Sequence, residues 1–344
     1  MPRKNRSIIV PLLIIGLMLA SCRVATPDKT DCTRDEVFCV GLVTGLEGIN
    51  DHSMNQNAWE GVLLAQTEKV ADQVRYIETI DAKDYASNIS ILAEAGYDII
   101  ITAGNTHGEA TSNAARKYTS TLFIGIDQHQ EQPLPNLVGL VFHDDQLGFL
   151  AGALAAQMTK TNTIAVVLDA NTQLSAVALK EGYEIGAKYI NAGINIISAY
   201  YPGEGEVATT GARWGAIAAG EAIQNGADVI FAAGSMVRKG VILEIIKHPG
   251  LYCIGVNDDL WNIYTEAHPC LLSSAVQQIP SGVYQLVRLA REGAFPSGNY
   301  FGTSGMASYH DFDSTIPEAV KTEMDSLTIA LEAGTISTGF NQDN

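Results

Sequence analysis

Short continuous apolar runs alternate with longer stretches of helical period along most of the chain. The first run is residues 40–43, and residues 57–70 then repeat apolar positions three and four apart, as one helix face requires. Further runs follow at 97–102, 122–126, 137–141, 164–168, 194–200, 229–232, 252–256 and 271–275. Strands that stay apolar through their length are covered on both faces, and strands spaced by helices pair in parallel. The pattern therefore predicts an α/β chain built on parallel sheets.

The same pattern repeats. Residues 95–104 match residues 225–234 at an offset of 130, sharing an Asp two places after a Gly, an apolar run and a closing Ala-Gly. At the same offset Phe123-Ile124-Gly125-Ile126-Asp127 matches Cys253-Ile254-Gly255-Val256-Asn257. Two matches at one spacing predict two related lobes. Ligands of open parallel sheets bind beyond the carboxyl ends of the strands. Gly104, Asp127, Gly234 and Asn257 all fall at such ends, so a cleft between the lobes would receive side chains from both.

The amino terminus has a different character. Arg3, Lys4 and Arg6 precede an apolar run of 13 residues, 8–20. A helix that crosses a bilayer needs about 20 residues, whereas a secretory signal has this layout. The run ends in Leu19-Ala20-Ser21-Cys22, which resembles a bacterial lipobox, in which the Cys becomes the lipidated first residue. Residues 1–21 are thus expected to be a signal peptide and 22–35 a lipid-anchored tether. The alternative is an ordinary signal with an unmodified Cys. Export permits disulfides. Cys32, Cys39, Cys253 and Cys270 allow three connectivities, of which local pairing, Cys32 with Cys39 and Cys253 with Cys270, is expected; free thiols are the alternative.

Composition narrows the chemistry. The 344 residues carry 38 acidic and 21 basic side chains, a formal charge of −17. That balance excludes a nucleic-acid binder, which needs a basic face, and opposes heavily phosphorylated ligands. No Cys-x-x-Cys or His-Glu-x-x-His spacing marks a metal site, and no Walker loop or dinucleotide fingerprint marks a cofactor. Asp127 with Asp258 or Asp259 could be cast as paired carboxylates of a hydrolase. Single acids at strand ends more commonly bind hydroxyls or cap helices, and no nucleophile elbow accompanies them. A binding protein without cofactor or metal is expected, not an enzyme.

One segment ties these readings together. Gly48-Ile49-Asn50-Asp51-His52-Ser53-Met54-Asn55-Gln56-Asn57-Ala58-Trp59-Glu60-Gly61 follows the first strand and opens the first helix. Asp51 or Ser53 can cap that helix, while Asn55 and Gln56 can point donors and acceptors into the cleft. The segment resembles the Asp-x-Ser-Phe-Asn-Gln-x-x-Trp-x-Gly motif of the basic membrane protein family. Phe149-Leu150-Ala151-Gly152, Lys180-Glu181-Gly182-Tyr183, Gly226-Ala227-Asp228 and Ile254-Gly255-Val256 extend the likeness over the whole mature chain.

The resemblance implies a lipoprotein that feeds a small ligand to an ABC permease and ATPase from the extracytoplasmic face of the cell membrane. It implies a type I periplasmic-binding-protein fold with three crossovers, placed near 141–146, 271–274 and 300–305. Lobe 1 would be 36–142 with 273–302, and lobe 2 would be 143–271 with 306–340. Carried across residue by residue, the ligand set is Asp51, Met54, Asn55, Asp127, Gly234, Asn257, Asp259 and Gln277. Met54 replaces a stacking ring, Asn257 replaces an Asp, and Gln277 replaces a Lys. The second stacking ring is absent from residues 201–206, and Tyr200, Tyr201 or Trp214 would supply one instead. A nucleoside is the expected ligand; a flavin or another neutral polyhydroxy molecule is the alternative, as is a sensing module without transport.

Overall fold

The computed structural model describes residues 31–169, 172, 174–203 and 207–340. The expected signal peptide, Cys22 and most of the tether lie outside the described residues. Among those described, no helix is long and apolar enough to cross a membrane.

The first lobe opens with β1 (Cys39–Val43), α1 (Met54–Thr67), β2 (Gln73–Ile77), α2 (Tyr85–Glu94), β3 (Ile99–Ala103), α3 (Gly108–Lys117), β4 (Leu122–Ile126) and β5 (Leu137–Val141). The second follows with α4 (Asp144–Met158), β6 (Thr163–Leu168), α5 (Leu174–Ile190), β7 (Asn195–Tyr200), α6 (Val207–Gln224), β8 (Val229–Ala232) and α7 (Ser235–Ile245). It continues through β9 (Tyr252–Asn257), α8 (Leu260–Ile263) and β10 (Leu271–Gln277). The chain then returns for α9 (Ile279–Arg291) and β11 (Gly298–Phe301), and ends with β12 (Ser304–Met306) and α10 (Glu318–Glu332).

The first sheet runs β11-β5-β4-β3-β1-β2 and the second β12-β10-β9-β8-β6-β7. Reading β6 to β10 as second copies of β1 to β5, the two orders are the same. All pairings are parallel except β12 against β10. β1, β3 and β5 are buried at every position, whereas β2 and β7 at the sheet edges are not. The sequence pattern missed β2 because Gln73 and Arg75 on its exposed edge break any apolar run, whereas β7 keeps Ile196 and Ile197.

The chain passes between lobes at 142–143, at 278 and at 302–303. The second passage corrects the expected boundary at 271–274. Ser273 and Ser274 interrupt the apolar run there, but their hydroxyls are satisfied within the second lobe. Ser273 Oγ donates to the Ala307 carbonyl at 2.8 Å, and Ser274 Oγ accepts from the Leu260 amide at 3.1 Å. β10 therefore continues to Gln277 in the second sheet, and α9 is the first element back in the first lobe. Ile279, Val283, Leu286 and Val287 of α9 join the core of α1 and β1.

Close helix packing accounts for two of the sequence signatures. Gly148 and Gly152 of α4 face Gly182 and Gly186 of α5, where any Cβ would collide with the opposing backbone carbonyl. Cys32 is joined to Cys39 and Cys253 to Cys270, with Cα–Cα separations of 5.7 and 5.2 Å. The second bridge ties the starts of β9 and β10.

Candidate functional site

A cleft of about 440 Å³ opens between the lobes at the carboxyl ends of the strands. Glu47, Asp51, Met54, Asn55, Gly104 and Asp127 line it from the first lobe; Arg238, Asp258 and Ile263 line it from the second.

Its first wall is built by one carboxylate. Asp51 Oδ1 accepts from the Ser53 and Gln56 amides at 2.9 and 3.0 Å, and Oδ2 accepts from the Asn55 amide and Asn55 Nδ2 at 3.0 and 2.9 Å. A carboxylate offers about four acceptor positions, so Asp51 is fully occupied by the helix it starts. α1 therefore begins at Met54, three residues before the expected start. Asn55 is buried and bonded again, its Oδ1 accepting from the Gly45 amide at 2.7 Å. Asp51 and Asn55 thus lock the turn after β1 to the first turn of α1, and Asn55 keeps one amide proton uncommitted. Ser53 occupies the N-cap position without bonding the helix. Freed by Asp51, its Oγ donates across the cleft to Asp258 Oδ1 at 2.8 Å.

The floor is set by matched strand ends. Gln128 Nε2 donates to Thr102 Oγ1 and to the Gly104 carbonyl, both at 2.9 Å, which fixes the loop after β4 against the end of β3. Asp127 sits between them with φ of +58°, a left-handed conformation that Asp tolerates better than most residues. Its amide donates to the Leu140 carbonyl at 2.9 Å. Its carboxyl takes no hydrogen bond from any described residue. The residue stays exposed to the cleft, and partial desolvation by the surrounding protein raises its pKa above the ordinary carboxylate value.

The cleft is acidic with one basic counterpart. Burial raises the pKa of Asp258, against the opposing pull of the Ser53 hydrogen bond and the Arg238 charge. Asp144, the first residue of α4, is pushed up to about 6, mainly by burial, with a hydrogen bond from Ser175 opposing and the charges of Asp127 and Asp145 adding. No cluster of His, Cys, Asp or Glu that could hold a metal ion occurs among the described residues.

Four expected ligand residues stand elsewhere. Gly234 is covered by Asp169, whose carboxylate occupies the space where a Cβ would sit. Asn257 is the exposed last residue of β9, with φ of +73°, and does not line the cleft. Asp259 caps α8 by accepting from the Trp261 amide at 3.2 Å and pairs with His310 Nε2 at 2.7 Å. Gln277 is half-buried in β10, opposite Ser304 of β12 at the third passage. The rings proposed for the second lobe are also structural: Tyr201 is buried against Trp214, with ring centres 5.5 Å apart at 79°, and its hydroxyl bonds to Thr210. Sequence reasoning missed Glu47 and Arg238 entirely. It weighed Asp258 only as a carboxylate paired with Asp127 in a hydrolase, not as part of a binding cleft. Arg238 lies one helical turn beyond Gly234, a placement that a strand-end rule does not reach.

A family model described as ABC transporter substrate-binding protein PnrA-like matches residues 40–303. The chain is 26% identical over 316 residues to the CD4+ T-cell-stimulating antigen of Listeria monocytogenes, covering 86% of this chain and 87% of that one. It is 26% identical over 315 residues to the ABC transporter nucleoside-binding protein BmpA of Lactococcus lactis, again covering 86% and 87%. Among solved structures it is similar to an ABC transporter solute-binding protein from Conexibacter woesei, with a TM-score of 0.71 at 17% identity, covering 88% of this chain and 98% of that chain.

Proposed function

The chain belongs to the Bmp family of PnrA-like ABC transporter substrate-binding proteins, and we propose that it is an exported lipoprotein that binds a nucleoside between its lobes for an ABC importer. The observation that carries this reading is the Asp127 carboxyl: open on the wall of an interlobe cleft, and without a hydrogen-bond partner among the described residues. A group so placed is completed by a ligand that donates to it, as the N–H edge of a base does. A cleft of about 440 Å³ suits a molecule of nucleoside size. Its acidity selects against phosphorylated forms. The Lactococcus relative is named as nucleoside-binding, which points the same way.

Export rests on the basic residues Arg3, Lys4 and Arg6, the apolar run 8–20 and Cys22. Release to a permease follows from hinge closure about three crossovers, since a ligand that bridges both lobes stabilises the closed form. The Ser53–Asp258 hydrogen bond is a direct lobe-to-lobe contact that such closure uses. A flavin or other polyhydroxy ligand is the second reading, favoured by Met54, which packs adaptably where a ring would select a flat base.

Calorimetry with inosine, guanosine and riboflavin, paired with small-angle scattering, tests both readings. We expect tight binding of a nucleoside accompanied by compaction. Tight riboflavin binding without nucleoside binding selects the second reading, and tight binding without compaction removes the closure mechanism.

A further inference from the structure

Arg238 is the one basic side chain among the described residues lining the cleft, and it stands one turn into α7. A guanidinium carries five N–H donors and no acceptor. Here Nη1 donates to the Val256 carbonyl at 3.3 Å, while the Nε–H is buried and meets no partner. The Tyr264 ring lies 5.3 Å from Cζ and holds the side chain in place. Asp169 and Asp258 both feel its charge. Yet neither carboxylate comes within the 4.0 Å of an ion pair, and Asp169 Oδ1 is itself buried without a partner.

A buried donor left open costs a folded chain free energy unless a third group completes it. The two carboxylates are near enough to attract the guanidinium charge but too far to take its hydrogen bonds, which leaves the Nε–H open. The acidic walls of the cleft are acceptors: Asp127 carries an unpartnered carboxyl, and Asp258 already accepts from Ser53, while on the first lobe Asn55 keeps one free amide proton.

We propose that Arg238 is a ligand-binding, specificity-determining residue that donates to an acceptor at the second-lobe end of the ligand, while Asp127 accepts from a donor at the first-lobe end. The ligand class is then a neutral molecule with a hydrogen-bond donor at one end and a carbonyl, ring nitrogen or hydroxyl acceptor at the other. An anion is disfavoured because Glu47, Asp127 and Asp258 share the same walls with this single cation. The inference rests on the ligand-cleft reading above and extends it to the second lobe.

The test is calorimetry of the wild-type chain, Arg238→Gln and Arg238→Lys with inosine, guanosine and riboflavin as probes. The probe that binds the wild type most tightly should bind Arg238→Gln about tenfold or more weakly. Arg238→Lys, which keeps the charge and loses the planar fork, should fall between, and it serves as the folded control with a melting temperature near that of the wild type. If riboflavin binds, nucleosides do not, and Arg238→Gln loses riboflavin, the Arg238 assignment stands and the nucleoside reading falls. If nucleosides bind the wild type and both variants alike, the assignment is overturned and the nucleoside reading stands. Failure of all three probes on the wild-type chain overturns both.

Discussion

Gly104 and Gly234 close the matched strands β3 and β8 with φ of +102° and +88°, and Asp127 and Asn257 end the matched strands β4 and β9 at +58° and +73°. The backbones agree to within a few tens of degrees, yet the surroundings differ. A Cβ on Gly104 would have only Met54 Sδ at 3.9 Å and Thr106 Oγ1 at 4.0 Å for neighbours, whereas one on Gly234 would strike Asp169. Asp127 faces the cleft; Asn257 does not line it. The first lobe thus presents its strand ends to the ligand. The second covers them and reaches the cleft from one turn further along, through Arg238 and Asp258. Strand-end geometry is set by backbone sterics and survives a change of side chain; which side chain reaches a ligand depends on what the neighbouring loops bring over it.

Five substitutions, in three sets, probe that contrast. The largest effect is expected at the paired glycines. Both hold φ and ψ combinations open only to Gly, so Gly104→Ala should cost about 1–3 kcal/mol. Gly234→Ala adds the collision with Asp169 and should cost about 2–4 kcal/mol. Denaturant titration of both variants measures the difference, and equal losses would dissolve the distinction between an open and a covered strand end.

Next comes the pair Asp127→Ala and Asn257→Ala. Removing the Asp127 carboxyl should weaken binding of inosine or guanosine by about ten- to a hundredfold, the loss of one or two charged hydrogen bonds. The matching change at Asn257 should leave affinity within about twofold, as at any exposed site outside the cleft. Calorimetry of the two variants side by side decides this, and comparable losses would return Asn257 to the ligand set.

The last test concerns Asp144, where the second lobe begins and the charge of Asp127 is felt, and its effect vanishes at low pH. Its pKa of about 6 in the folded chain exceeds the ordinary 3.8, so the folded state holds the proton more tightly than the unfolded state does. Stability from this group is therefore present at low pH and lost as pH rises from about 4 through 6. Asp144→Asn should then stabilise the chain by about 1–3 kcal/mol at pH 7 and by almost nothing at pH 4. A melting-temperature gain that does not depend on pH would show that packing, not charge, is responsible.

Much of this molecule is legible along the chain because its informative signals are local. Continuous apolar runs located nine strands, since a strand buried on both faces needs an apolar side chain at nearly every position. β2 escaped because Gln73 and Arg75 on its water-facing edge break any apolar run, whereas the edge strand β7 keeps Ile196 and Ile197. β11 and β12 escaped as well: Gly298-Asn299-Tyr300-Phe301 holds no continuous apolar run, and β12 is only three residues long. At the site, Asp51 and Asn55 were recognisable as a motif, but their work is to cap and brace α1. That role shows only once four hydrogen bonds are seen to fill one carboxylate.

The amino-acid sequence alone determined the two-lobed parallel α/β plan, the duplication at an offset of 130 residues, and the strand ends where a cleft must form. These follow from periodicity and backbone sterics, which act over a few residues at a time. Only the tertiary structure decided which polar groups the cleft receives: it buried Gly234 under Asp169, turned Asp259 to His310, and brought Arg238 and Asp258 to face Asp127. Whether a polar side chain is saturated or open depends on partners tens to hundreds of residues away, as Ser53 and Asp258 are, and no local pattern encodes that distance.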